Sequence, residues 1–213
     1  MKKTFLVLST IITSIGLVAC GDSSSSSLNP SISIVEDDTI KGSGTKESPY
    51  LISNQKQLKK VANVCLGADN VIYLSIEKDF EITNEWVPLG TLKMPFNANI
   101  IGNGHTIKGV NITEANDDQK LFGLFGCYSG VVENLTIEGN IDIQQQIADS
   151  YVGLFAGVTY DAYLKDVTAK GKIVVRNNTE VDDLTSCVGG VSGANVLSNG
   201  ITSTFEEVSF YGD

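Results

Sequence analysis

Between Glu133 and Val175 apolar residues occupy every second position over long stretches. Leu135, Ile137, Ile141 and Ile143 share one parity, and Thr136, Glu138, Asn140 and Asp142 the other. That is the period of a strand with one buried side. Shorter runs of the same kind lie upstream at Ile72, Leu74 and Ile76, at Phe80 and Ile82, and from Ile107 through Gly109 to Val110 and Ile112. A helical period occurs over Asn54 to Val64. There Leu58, Val61, Ala62 and Cys65 form one apolar stripe, and Ser53 or Asn54 can cap the first turn. Before all of these, Lys2 and Lys3 precede an apolar run from about Phe5 to Gly16, too short to span a bilayer.

The alternating segments repeat. Leu124-Phe125-Gly126 followed by Glu133 to Ile143 aligns with Phe155-Ala156-Gly157 followed by Lys165 to Val175, and with Val191-Ser192-Gly193 followed by Glu206 to Asp213; from glycine to glycine the spacings are 31 and 36 residues. Gly139, Gly171 and Gly212 fall on the inward parity, where a missing side chain lets a strand bend and divide into two at a corner. Strand, corner, strand and turn, repeated, describe a coil of a parallel β-helix, and no coil buries its apolar face alone. The expected fold is all-β, a solenoid whose exposed first end is covered by the amphipathic helix.

The leader ends in Leu17-Val18-Ala19-Cys20. These residues resemble the bacterial lipobox, and the resemblance implies acylation of Cys20 and cleavage before it. An ordinary signal peptide with a chance cysteine is the alternative. Several acyl chains hold a protein stably at a membrane where one does not. The organisation expected is a lipoprotein signal peptide over residues 1–19, a lipidated tether over 20–41 and a β-helix domain over 42–213. Ser23 to Ser27 and the acidic Glu36, Asp37 and Asp38 make the tether flexible. Gly21 is not the aspartate that resembles an inner-membrane retention signal, which favours the outer membrane or cell surface. The full chain carries 15 basic and 25 acidic residues, a net charge of −10; loss of Lys2 and Lys3 with the leader makes it −12. Such a chain repels nucleic acid and anionic lipid head groups.

Gly42-Ser43-Gly44-Thr45, Ser48-Pro49-Tyr50-Leu51-Ile52, Gln57-Leu58, Trp86-Val87-Pro88-Leu89-Gly90, Phe96, Gly102-Asn103-Gly104-His105-Thr106-Ile107, Gly123-Leu124-Phe125-Gly126 and Glu133-Asn134-Leu135 together resemble the GLUG-repeat proteins of bacterial surfaces. The resemblance covers Gly42 to Asp213 and implies a right-handed parallel β-helix outside the cytoplasm. It implies spacers and adhesive stalks, also found beside peptidase domains, without a catalytic constellation of their own. The third copy departs from the pattern, with Val191-Ser192-Gly193 and a polar insert from Ala194 to Ser203.

Candidate chemistry is sparse. His105 is the single histidine, set in a turn where its side chain is expected to bond neighbouring backbone, and no HExxH motif occurs. Three acidic pairs, Asp117-Asp118, Asp182-Asp183 and Glu206-Glu207, read as solvated edges rather than as the paired carboxylates of a glycosidase. Trp86 reads as a packing residue, while Tyr160 and Tyr163, with Asp161 between them, are candidates for exposure. Cys65, Cys127 and Cys187 fit no metal spacing, and at least two are expected to be buried fillers, with a single disulfide among them as the alternative. The expectation is a binding or spacer module with no catalytic residue, metal or cofactor. Its partners would be the membrane through Cys20 and an extracellular glycan or protein. The alternatives are an accessory part of a surface peptidase or carbohydrate-active enzyme, and a weak glycan-degrading enzyme. The third copy stops at Gly212-Asp213, before the positions equivalent to Ile141 and Ile143, so a truncated product is also expected.

Overall fold

The computed structural model describes residues 38–113, 120–145, 149–177, 186–196 and 203–213. Cys20, the tether to Asp37, Asp117-Asp118, Asp182-Asp183 and most of the Ala194 to Ser203 insert lie outside the described residues. In chain order the elements are β1 (Tyr50–Ile52), α1 (Gln55–Cys65), β2 (Tyr73–Ile76), β3 (Phe80–Glu81), β4 (Phe96–Asn97), β5 (Asn99–Ile101), β6 (Thr106–Ile112) and β7 (Leu121–Phe122). They continue as β8 (Phe125–Gln145), β9 (Ser150–Val152), β10 (Ala156–Asn177), β11 (Ser186–Val188), β12 (Ser192–Val196), β13 (Thr204–Glu206) and β14 (Ser209–Gly212). The class is all-β with one short helix.

Every pair of these strands is parallel. Eleven strands form one sheet, whose main path runs β1-β2-β5-β8-β10-β12, and three form a second in the order β11-β9-β7. Along the main path Tyr50 pairs with Leu74, Leu74 with Ile100, Ile100 with Val132 and Val132 with Leu164. The chain therefore returns to the same ladder after 24, 26, 32 and 32 residues. The three aligned segments fall into register as their alternation predicts: Leu135 lies beside Val167, Ile141 beside Ile173, and Gly139, Gly171 and Gly212 form one row.

This register makes the core. Inward residues of one pass land on those of the next, as in the row Phe80, Ile107, Ile137, Ala169. All four are buried, and each of the three large side chains so removed from water contributes about 1.5–3 kcal/mol. Beneath β4, β8 and β10 the rings of Phe96, Phe125, Tyr128 and Phe155 pack with centroids 4.7 to 6.4 Å apart. The buried Tyr128 hydroxyl lies 2.8 Å from the carbonyls of Ala98 and Val131, so its polar end is satisfied.

Helix α1 forms where its stripe predicts. Asn54 caps it, accepting the Gln57 N–H at 2.9 Å, and Leu58, Val61, Ala62 and Cys65 face the core. It follows β1 rather than preceding every strand, a difference from the expected end cap; the three residues Tyr50–Ile52 are too few to show a period. Residues expected in the tether also contact it: Gln57 donates to the Thr39 carbonyl at 2.9 Å, and Lys56 pairs with Asp38 at 3.5 Å.

The strands are not divided at the inward glycines. β8 runs unbroken through Gly139 and β10 through Gly171. Left-handed backbone also occurs earlier, at Gly130 and Asn134 in β8 and at Asp161 and Asp166 in β10. What requires glycine in this row is the stacking itself, because a methyl at Gly171 would fall inside the Gly139 carbonyl, and Gly171 also has a φ of +146°.

Gly171→Ala is accordingly expected to cost about 2–4 kcal/mol in urea unfolding, combining overpacking with backbone strain. The exposed neighbour change Lys172→Ala should stay within about 0.5 kcal/mol. Asn54→Ala should cost about 1 kcal/mol in the same assay through loss of the cap.

Candidate functional site

The residues singled out for chemistry are mostly committed elsewhere. Trp86 is buried and donates from Nε1 to the Leu124 carbonyl at 2.8 Å, with Lys59 Nζ 5.0 Å from its ring centroid. His105 bonds a side chain rather than backbone: Nδ1 lies 3.0 Å from Asp79 Oδ1, which also accepts the Thr106 N–H at 3.0 Å. Those two bonds, the backbone one foremost, hold the Asp79 carboxyl below its ordinary range. Cys65 and Cys127 are buried fillers, Cys187 is exposed, and all three are free thiols. Burial pushes the Cys65 thiol up to about 12 and the Cys127 thiol up to about 11. Tyr160 and Tyr163 are half-buried rather than exposed.

On the outward face, charged residues meet their opposites one pass away. Lys170 lies 3.4 Å from Glu138, Lys165 lies 3.3 Å from Glu206, and Arg176 binds Asp142. Tyr163 donates its hydroxyl to Glu206 at 2.6 Å. This bond first and the Lys165 ammonium second draw the Glu206 carboxyl down. Glu207 behaves oppositely. It stands beside Asp166 with a left-handed backbone at both residues, and a hydrogen bond to Asp166 together with repulsion from it raises the Glu207 carboxyl. The pair Glu206-Glu207 is thus two structural carboxyls in unlike surroundings.

Among the described residues, hollows open on the surface in at least two places. The larger, about 490 Å³, lies among Val87, Pro88, Leu92, Lys93, Lys120 and Leu121. The smaller, about 210 Å³, lies over β2, β5 and β8 among Lys46, Tyr73, Asn99, Ile101, Val131 and Glu133. Sequence reasoning missed both, because the passes upstream of Leu124 do not share the later spacing. Only the observed pairing of Tyr73 with Asn99 and of Ile101 with Glu133 reveals which residues are neighbours. Among the described residues, no three histidine, cysteine, aspartate or glutamate side chains gather as a metal site.

No family model matches the chain. Over 128 residues it is 34% identical to a protein of Evansella cellulosilytica provisionally described as a Gly-rich membrane protein; the match covers 56% of this chain and 14% of the relative. Over 181 residues it is 29% identical to Halomucin of Haloquadratum walsbyi, covering 79% of this chain and 2% of that protein. Among solved structures it is similar to a chain from Bacteroides ovatus provisionally described as an immunoglobulin A1 protease, with a TM-score of 0.50 and 20% identity. That match covers 80% of this chain and 49% of the other and shows a likeness of fold alone. This chain therefore spans only a small part of the two curated relatives and about half of the structural neighbour.

In a chain carrying Cys20→Ser, native alkylation at pH 8 should label Cys187 and leave Cys65 and Cys127 unlabelled until denaturant is added; mass spectrometry of the digest reads the outcome. For Glu207 the raised folded pKa means that its contribution to stability is fully present below about 4.5, the ordinary glutamate value. It is lost as pH rises through the folded value. Asp166→Asn should bring the Glu207 titration back down, as followed by carboxyl-carbon NMR.

Proposed function

We propose that this protein is a lipid-anchored module of the bacterial cell surface, a right-handed parallel β-helix of GLUG type, acting as a binding or spacer element rather than as a catalyst. The observation that carries the proposal is the repeated parallel register, with the core stacked inside and oppositely charged side chains matched outside between successive passes. Such a repeat extends in one dimension and presents a long face whose outward residues vary without disturbing the core.

The matches to small fractions of longer proteins support a modular role, and the relative described as a membrane protein supports an envelope location. The lipobox-like Leu17 to Cys20 supplies the anchor and Ser23 to Ser27 the slack. A second reading is favoured by the same coverage: the chain is the non-catalytic part of a larger surface peptidase or carbohydrate-active enzyme.

Cys20→Ser should shift the protein from the membrane fraction to the soluble extracytoplasmic fraction and abolish incorporation of a fatty-acid label. Protease added to intact cells should degrade the wild-type protein alongside known surface proteins. Survival of this chain while those controls are digested would refute surface exposure.

A further inference from the structure

The smaller hollow gathers several polar groups that find no side-chain partner among the described residues. Elsewhere Glu138, Asp142 and Glu206 each meet a cation one pass away. Here, among the described residues, the Lys46 ammonium, the Tyr73 hydroxyl and the Glu133 carboxylate have no side-chain hydrogen bond or ion pair. Asn99 uses its Oδ1 to accept the Val131 N–H at 3.0 Å, which fixes the amide, and its NH₂ has no acceptor among the described residues. Backbone bonds fix the surroundings as well. The Tyr73 N–H donates to the Gly44 carbonyl at 2.9 Å, holding the loop that carries Lys46 against β2. Tyr73, Asn99, Ile101 and Glu133 are set by the strand register itself.

The hollow thus combines an aromatic ring, the apolar side chains of Ile101 and Val131, three kinds of donor and a carboxylate acceptor around a space of about 210 Å³. That is room for one sugar ring and less than a drug-sized ligand needs. A hydroxyl both donates and accepts, so adjacent ring hydroxyls can satisfy an ammonium, an amide and a carboxylate together while the C–H face of the sugar lies on the apolar side chains. The net charge of −10 and the carboxylate within the hollow disfavour acidic sugars.

We propose that this hollow is a subsite for a neutral hexose polymer running along the stack of strands. The register extends the subsite: Val131 pairs with Tyr163 and Glu133 with Lys165, so a second aromatic residue stands three strands from Tyr73, roughly 14 Å away. A polymer following this line would meet Tyr73, Asn99, Glu133, Lys165 and Tyr163 in turn. The inference rests on the reading of the protein as a surface binding module and names the class of its ligand.

The test is isothermal calorimetry on the purified full-length chain in detergent, with neutral gluco-, manno- and galacto-oligosaccharides of increasing length and with oligogalacturonate as the acidic comparison. At least one neutral series should bind and tighten with length. Tyr73→Ala and the exposed change Glu133→Gln should each weaken it about tenfold, whereas Lys93→Ala in the larger hollow should leave it unchanged. Glu133→Gln keeps the result interpretable if Tyr73→Ala proves unfolded by circular dichroism. No neutral binding at millimolar concentration, equal binding by Glu133→Gln, or preference for oligogalacturonate would overturn the proposal. None of these results bears on surface location, which the cell-shaving experiment reads separately.

Discussion

A parallel strand cannot complete its hydrogen bonds with the segment that follows it directly; it must wait until the chain has travelled out and come back. Among the described residues every pair of strands is of that kind, with 24 to 32 residues between partners along the first five strands of the main path. Each pass therefore depends on its neighbours for both backbone pairing and burial. The inward rows, the glycine row and the cross-pass ion pairs all follow from keeping that return in register. Where register slips, between Thr159 and Ala162 and between Ile107 and Val110, the pairing shifts by one residue and keeps the new offset to the end of the ladder.

The ion pairs on the outer face belong to the same constraint. Each is solvent-exposed and stabilises little by itself, on the order of 0–1 kcal/mol. Their effect is on alignment: Glu138 opposite Lys170 and Glu206 opposite Lys165 favour the correct pairing over one displaced by a residue, which would also turn the apolar side outward. Asp166 beside Glu207 is the exception, two acids in adjacent left-handed positions where a smaller neutral residue would do.

Much of this is legible in the sequence. The alternation at Leu135 to Ile143, the helical stripe at Leu58 to Cys65, the Asn54 cap and the alignment of Gly139 with Gly171 and Gly212 all follow from periods of two and 3.6 residues, which chain chemistry sets locally. The three-residue β1 and the second sheet of β7, β9 and β11 were not legible, because two or three residues cannot display a period. The glycine row was found for a different reason from the true one: volume from the adjoining pass, rather than a corner within the strand. The smaller hollow was invisible for the same cause, since Lys46, Tyr73, Asn99 and Glu133 are scattered in sequence and only the irregular early returns bring them together.

The return of 32 residues between β8 and β10 constrains how such a protein can change through time. Loss of one residue within β8 would invert the facing of everything beyond it until a bend absorbed the error. Loss or duplication of a whole 32-residue return would instead keep inward positions over inward positions. The register therefore tolerates change by whole passes better than change by single residues.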